Sequence, residues 1–207
     1  TSQGITFSMA NYLYSYVWRF TPQQFQIYTV VLLLSVITCF IVLPRWHARW
    51  GKRETAVVTA VLGAAFWVAP FLLKVAGLWP QVGSLASTLG VFSLFFICNV
   101  FSVAAMVSGT SMMADVVEAS EEQTGRRNEG VFFAGNFFMT KCTTGIGILV
   151  TSQLLAFAGI SQKVKPEDVA PAVIDKLSLA YCGAVIVFAI AMASVVRRFP
   201  ITRADHE

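Results

Sequence analysis

Lys141, in "NFFMTKCTTGIG" (residues 136–147), is the one charged residue between Glu129 and Lys163. An ammonium in such apolar surroundings can pair with a carboxylate. Otherwise it must reach water. Just upstream, "DVVEASEEQTGRRNE" (115–129) gathers Asp115, Glu118, Glu121, Glu122, Arg126, Arg127 and Glu129, a set suited to making and breaking ion pairs. Catalytic and metal chemistry have no such material. His47 and His206 are far apart, no HExxH is present, and Cys39, Cys98, Cys142 and Cys182 lack metal-ligand spacing. The cysteines read as small packing residues in reduced form. No enzyme, cofactor or bound metal is expected.

The elements that must position Lys141 are written in the composition. Of the 207 residues, 56% are hydrophobic and only 13% charged, about half the charge that covers a soluble surface. The apolar residues come in long blocks. Five of these, 25–43, 55–79, 82–114, 130–160 and 177–196, are long enough to cross a ~30 Å hydrocarbon core as helices. A partial span, 1–18, precedes them. The alternating ten-residue pattern of a barrel is missing, so the fold class is an all-α integral membrane protein with about six transmembrane helices. The chain opens inside an apolar stretch without Met, which is expected of a fragment.

Orientation follows from lysine and arginine. The connections 44–54 and 115–129 and the tail 197–207 hold nine of them, whereas Arg19, Lys163, Lys165 and Lys176 on the other side make four. The richer set is expected in the cytoplasm together with the C-terminus. The net charge of +4 is modest; the partners expected are the lipid bilayer and a small molecule, with no nucleic acid.

If the span of Lys141 starts near Gly130, the residue lies about 17 Å into the membrane at ~1.5 Å per residue. That is close to the midplane, where a lysine costs about 2.5–3.5 kcal/mol on insertion scales. Helical phase puts Gly130, Ala134, Gly145, Ile148 and Ser152 on its side, with Phe132, Met139, Ile146 and Val150 opposite. Small residues let helices approach, so Lys141 is expected to face the bundle. A structural lysine held by a backbone carbonyl or a buried acid is the alternative to a role in ion or substrate handling. Lys74, one turn from the end of its span, is expected to snorkel to the interface.

The run "MMADVVEASEEQTGRRNEGVFFAGNFFMTK" (112–141) resembles the signature of the glycoside–pentoside–hexuronide:cation symporters, the melibiose-carrier-like branch of the major facilitator superfamily. Ala114, Asp115, Thr124, Gly125, Arg127, Glu129, Gly130 and Lys141 carry the match. The basic "RWHARWGKRE" (45–54) is similar to the family's short loop between helices eight and nine. The resemblance implies that residues 1–207 are the C-terminal six-helix half of a twelve-helix carrier whose N-terminal half is missing here. Substrate would lie between the halves near the midplane.

The same resemblance implies cation-coupled symport, driven by Na⁺ or H⁺, of a small polar solute such as a sugar, glycoside or related organic acid. It implies Lys141 at the coupling site, beside aspartates of the N-terminal half, in the plasma membrane (for a bacterium, the inner membrane). It also implies a cytoplasmic gate of Asp115, Arg127 and Glu129 that holds the two halves together in one state of alternating access. The sequence departs from the pattern at "EAS" (118–120) and at Met106, where an aromatic is common, which keeps acidic solutes beside sugars.

Candidate cavity-lining residues are Asn99, Asn11 and Tyr12; for Asn99 a bond to a neighbouring helix is the equal alternative. Glu122 and Arg126 have the i, i+4 spacing of a helical ion pair. Two further readings stand beside the symporter: a lysolipid carrier of the same branch, and a non-transport membrane structural or assembly subunit.

Overall fold

The computed structural model describes residues 9–10, 12–126, 128–159 and 169–197. Its regular elements are a π-helical turn, Leu13–Val17, and the helices α1 (Pro22–Val75), α2 (Leu85–Thr124), α3 (Glu129–Ala158) and α4 (Pro171–Arg197). The four α-helices are each long and apolar enough to cross a membrane.

Helix α1 starts on a capping box. The Thr21 hydroxyl accepts from the Gln24 N–H at 3.3 Å while Gln24 Oε1 accepts from the Thr21 N–H at 2.8 Å, and Pro22 follows at the first helical position. At ~1.5 Å per residue its 54 residues would stretch about 80 Å, far beyond one hydrocarbon core. The helix breaks instead at Gly51, whose φ of 79° and ψ of 166° lie in a region open essentially to glycine alone. Two arms result, 22–50 and 52–75.

The contacts with α2 fix their directions. Along the first arm, Gln24 meets Thr88, Ser35 meets Asn99, His47 meets Ser108 and Lys52, just past the break, meets Asp115, so arm and helix run parallel. Along the second arm the order reverses. Cys98 Sγ donates to the Gly63 carbonyl, Trp67 stacks on Phe95 at 4.6 Å, and Trp79 beyond the arm donates to Ser87. Phe101 takes Trp46 on one side and Phe66 on another, at 5.7 and 5.8 Å. Those two residues would be about 30 Å apart in a straight helix; the arms form a hairpin folded over α2.

Helix α4 runs antiparallel to the second arm. Lys74 Nζ donates to Asp175 at 2.9 Å, and the Trp67 indole N–H donates to the Tyr181 hydroxyl. The aromatic core sits toward this end, where Tyr14, Tyr28, Trp67, Phe71, Phe92 and Phe95 are all buried, with Tyr14 and Tyr28 sharing a hydroxyl contact of 2.7 Å. Such pairs of polar tips let tyrosines sit in a hydrocarbon-surrounded core without an orphaned O–H. Helix α3 is peripheral: among its described residues only Gly147, Thr151, Leu155 and Ala158 are buried.

The expected spans 130–160 and 177–196 agree with α3 and α4 to within a few residues at most ends, α4 starting six residues earlier. The spans 25–43 and 55–79 appear as the two arms, but the helix runs through Pro44 to the break at Gly51. Proline removes one hydrogen bond rather than the helix, and Arg45 Nη1 reaches back to the Ile41 carbonyl at 3.1 Å in that turn. The span 82–114 continues as helix to Thr124, because polar helix outside the membrane carries no hydropathy signal. Of the expected sixth span, 1–18, residues 1–8 and 11 lie outside the described residues. Lys74 is corrected from a snorkelling lysine to an ion-paired one.

Candidate functional site

The signature residues are set by one helix end. Helix α2 stops at Gly125, which takes φ 64° and ψ 12° and donates its N–H to the Glu121 carbonyl at 2.8 Å, a left-handed cap that glycine fills without penalty. Thr124 Oγ1 donates to the Ser120 carbonyl at 2.7 Å. The Thr-Gly pair is thus a helix stop, and α3 begins four residues later with Glu129 in its first turn, where a carboxylate favours the helix dipole. Because the helix ends there, Arg126 leaves it, and no Glu122–Arg126 ion pair forms among the described residues. Arg127 lies outside the described residues.

Asp115 sits nine residues before the stop. It accepts from Lys52 Nζ at 2.6 Å, a pair whose side chains are 20% and 40% exposed respectively. The carboxylate expected to reach the opposite half is therefore already engaged inside this one. What it closes is the hairpin turn against the end of α2. Beside it, Ser108 donates its hydroxyl proton to the Ala104 carbonyl at 2.7 Å, so the 2.8 Å contact with His47 Nε2 has the imidazole N–H as donor. His47 lies beyond the apolar run 25–43, among the arginines of the turn. Burial, then the neighbouring Lys52 charge, hold its imidazole below the usual histidine range.

Lys141 lies near the middle of α3, exposed, with no ion pair among the described residues. The face expected to turn into the bundle is not covered by the described helices of this chain. The buried stripe Gly147–Thr151–Leu155–Ala158 is about a quarter turn away at ~100° per residue. Val150 and Phe132, expected to face lipid, are half-buried. Among the described residues the chain packs α3 through its C-terminal part and leaves the Lys141 side uncovered.

Asn99 donates to the Ser35 hydroxyl, which in turn donates to the Leu32 carbonyl. It ties α2 to the first arm, the second of the two roles open to it. Tyr12 is half-buried and stacks with Tyr16 at 6.1 Å; Asn11 lies outside the described residues. Three cysteines are buried and Cys142 is exposed, all free. No cluster able to hold a metal ion occurs among the described residues.

The structure adds Lys52, His47, Ser108, Ser35 and Asp175 to the polar groups singled out in the sequence. Their partners are 61 to 101 residues distant, and nothing in local spacing announces a contact at that range.

A family profile described as MFS/sugar transport protein matches residues 1–203. The chain belongs to this family. It is an integral membrane chain of a transporter family, and that family is one of carriers rather than enzymes. Among curated relatives of the MFS chain, the sodium-dependent lysophosphatidylcholine symporter 1-A of Danio rerio is 30% identical over 135 residues, 62% of this chain and 23% of that protein. The glucuronide carrier protein homolog of Escherichia coli K12 is 26% identical over 170 residues, 80% of this chain and 35% of that protein. An uncharacterized symporter of Synechocystis is 28% identical over 135 residues, 64% of this chain and 23% of that protein. The chain thus spans about a third or less of the length of these relatives. No solved structure matches it.

Proposed function

We propose that this chain is the C-terminal half of a cation-coupled symporter that moves a small polar solute, a glycoside or related organic acid, by alternating access. The observation that carries the reading is the placement of the signature. Its Thr-Gly stop turns the chain from α2 into α3, and its lysine rides mid-helix on the side this half does not cover. A lysine at that depth needs an anionic or watery partner. The other half of the same carrier is the natural source, and two halves enclosing a midplane site is how secondary transporters of this kind are built.

In that arrangement the Lys141 ammonium and the coupling cation, Na⁺ or H⁺, compete for the same carboxylates. Cation binding would displace the ammonium and free it to meet an acidic or hydroxyl-bearing solute, which couples the two binding events. Asp115 then acts through Lys52, keeping the cytoplasmic turn of this half rigid while the halves rock. Arg127 and Glu129 would complete the gate toward the opposite half. The C-terminus lies on the cytoplasmic side of the plasma membrane, the inner membrane in a bacterium.

The likeness to lysophosphatidylcholine symporters favours one second reading, a lysolipid as solute. Full-length protein in proteoliposomes separates the two. Under an inward Na⁺ or H⁺ gradient, a labelled glucuronide or glycoside accumulates and collapsing the gradient abolishes it. Accumulation of a lysolipid instead favours the second reading. Gradient-independent equilibration of every solute overturns symport.

A further inference from the structure

Helix α3 is held to the rest of this chain along one line. Its buried residues, Gly147, Thr151, Leu155 and Ala158, form a single stripe about 80° wide at ~100° per residue. Leu155 and Ala158 share a buried cluster with Ile174, Leu177 and Tyr181 of α4. Between 129 and 146 no described residue is buried. A stripe of contact fixes where a helix lies, but it leaves small rolls about the helix's own axis open. Roll matters for Lys141. With side chains reaching ~5–6 Å from the axis, a roll of about 20° carries a tip through about 2 Å.

One contact lies off the stripe. Lys176 Nζ of α4 stands 4.1 Å from the centre of the Phe157 ring. Phe157 is about 120° around the helix from Thr151, and Lys141 is about 80° away on the other flank. Two electrostatic demands favour a lysine here. The negative face of the ring attracts a cation. Phe157 also sits in the last turn of α3, which has no basic residue of its own, and the negative end of the helix dipole favours positive charge there. The lysine stands on a fixed base. Its neighbour Asp175 accepts from Lys74 Nζ at 2.9 Å, an ion pair to the second arm of α1. Consecutive residues of α4 thus reach in two directions and join the second arm, α4 and α3 in series.

We propose that Lys176 is a positioning residue for Lys141, on the coupling reading of that ammonium given above. By holding the Phe157 flank it fixes the roll of α3 on α4, and with it the direction in which the Lys141 ammonium points. An ammonium set at the wrong angle competes less well with the coupling cation for the same carboxylates. Cation binding then becomes tighter and less dependent on solute.

The test uses full-length protein in proteoliposomes and two readouts. One is the cation concentration that half-saturates solute accumulation. The other is the rate at which a methanethiosulfonate reagent modifies Cys142, read by peptide mass spectrometry. Cys142 directly follows Lys141 and is exposed, while Cys39, Cys98 and Cys182 are buried. Lys176 and Phe157 are both exposed, so substituting them spares the core. Lys176→Ala and Phe157→Leu each lower the half-saturating concentration about three-fold, the bias an exposed cation–π contact can exert, and change the Cys142 rate by about two-fold or more. The maximal rate at saturating solute stays unchanged. The double variant does no more than either single one, and Lys176→Arg, which keeps a cation over the ring, stays near wild type. Where wild type couples, an unchanged value of either readout in Lys176→Ala overturns the proposal, and so do additive shifts in the double variant. A wild type without cation-dependent accumulation ends the symport reading instead, and the Cys142 rates then decide the positioning by themselves.

Discussion

Lys52 Nζ and Asp115 Oδ1 lie 2.6 Å apart across 63 residues of sequence. One belongs to the turn of the hairpin and the other to the last third of α2, so this contact decides that the two connections share one end of the bundle. Such a pair, with side chains 40% and 20% exposed, contributes at most about 1 kcal/mol. Asp115→Lys is expected to lower the melting temperature of the full-length protein by a few degrees, and Lys52→Asp in the same molecule to recover most of it. A double variant no more stable than the worse single one would show that the two charges do not interact.

Gly51 and Gly125 both have positive φ but in different regions, and this difference is testable. Gly125, at φ 64° and ψ 12°, is left-handed helical, which asparagine also visits. Gly51, at φ 79° and ψ 166°, is in territory that asparagine avoids as alanine does. A Cβ at either position meets nothing within 4 Å, so the whole effect is conformational. Gly125→Asn is expected to cost a few tenths of a kcal/mol and Gly51→Asn about 1–3 kcal/mol. Thermal unfolding in detergent reads both; equal shifts would contradict the distinction.

The all-helical membrane class is legible in the sequence, because it is written in local runs of residues; the helix stop at Thr124-Gly125 is not, since the pair is visible only as part of the family signature. Hydropathy blocks give spans since a helix in lipid must be apolar along its whole length. The polar extension of α2 from 115 to 124 has no hydropathy signal, and only the i, i+4 spacing of Glu122 and Arg126 hints at helix there. Asn99 reads equally as a cavity residue or a helix tie until Ser35, 64 positions away, is placed beside it. What covers the Lys141 face is illegible for a related reason. Small residues on its side announce close approach by some helix, but not which half of the molecule supplies it.

His47 makes stability depend on pH with a definite sign. Its folded-state imidazole titrates lower than an unfolded one because burial and Lys52 disfavour the charged form. The unfolded chain therefore binds more protons near and below about pH 6.5, and stability rises with pH through that window. Acidification from pH 7.5 to 5.5 is expected to lower the melting temperature, and His47→Gln, which keeps an N–H for Ser108, to flatten that part of the dependence. An unaltered slope in the variant would remove His47 as its source.

Lys141 offers the sharpest separation of structural from transport roles. Within this half it is exposed and makes no ion pair among the described residues, while the packing of α3 rests on Gly147, Thr151, Leu155 and Ala158. Lys141→Ala is therefore expected to leave the packing of α3 within this chain intact, so that the helical circular dichroism of the full-length protein is unchanged. If the ammonium competes with the coupling cation, the same variant loses gradient-driven accumulation at least ten-fold, because a site without the competitor binds the cation whether or not solute is present. Lys141→Arg, which keeps the charge in a bulkier fork, should retain part of the coupling. A variant that unfolds would make Lys141 structural. One that still concentrates solute as wild type does would remove it from the coupling mechanism while leaving the family assignment untouched.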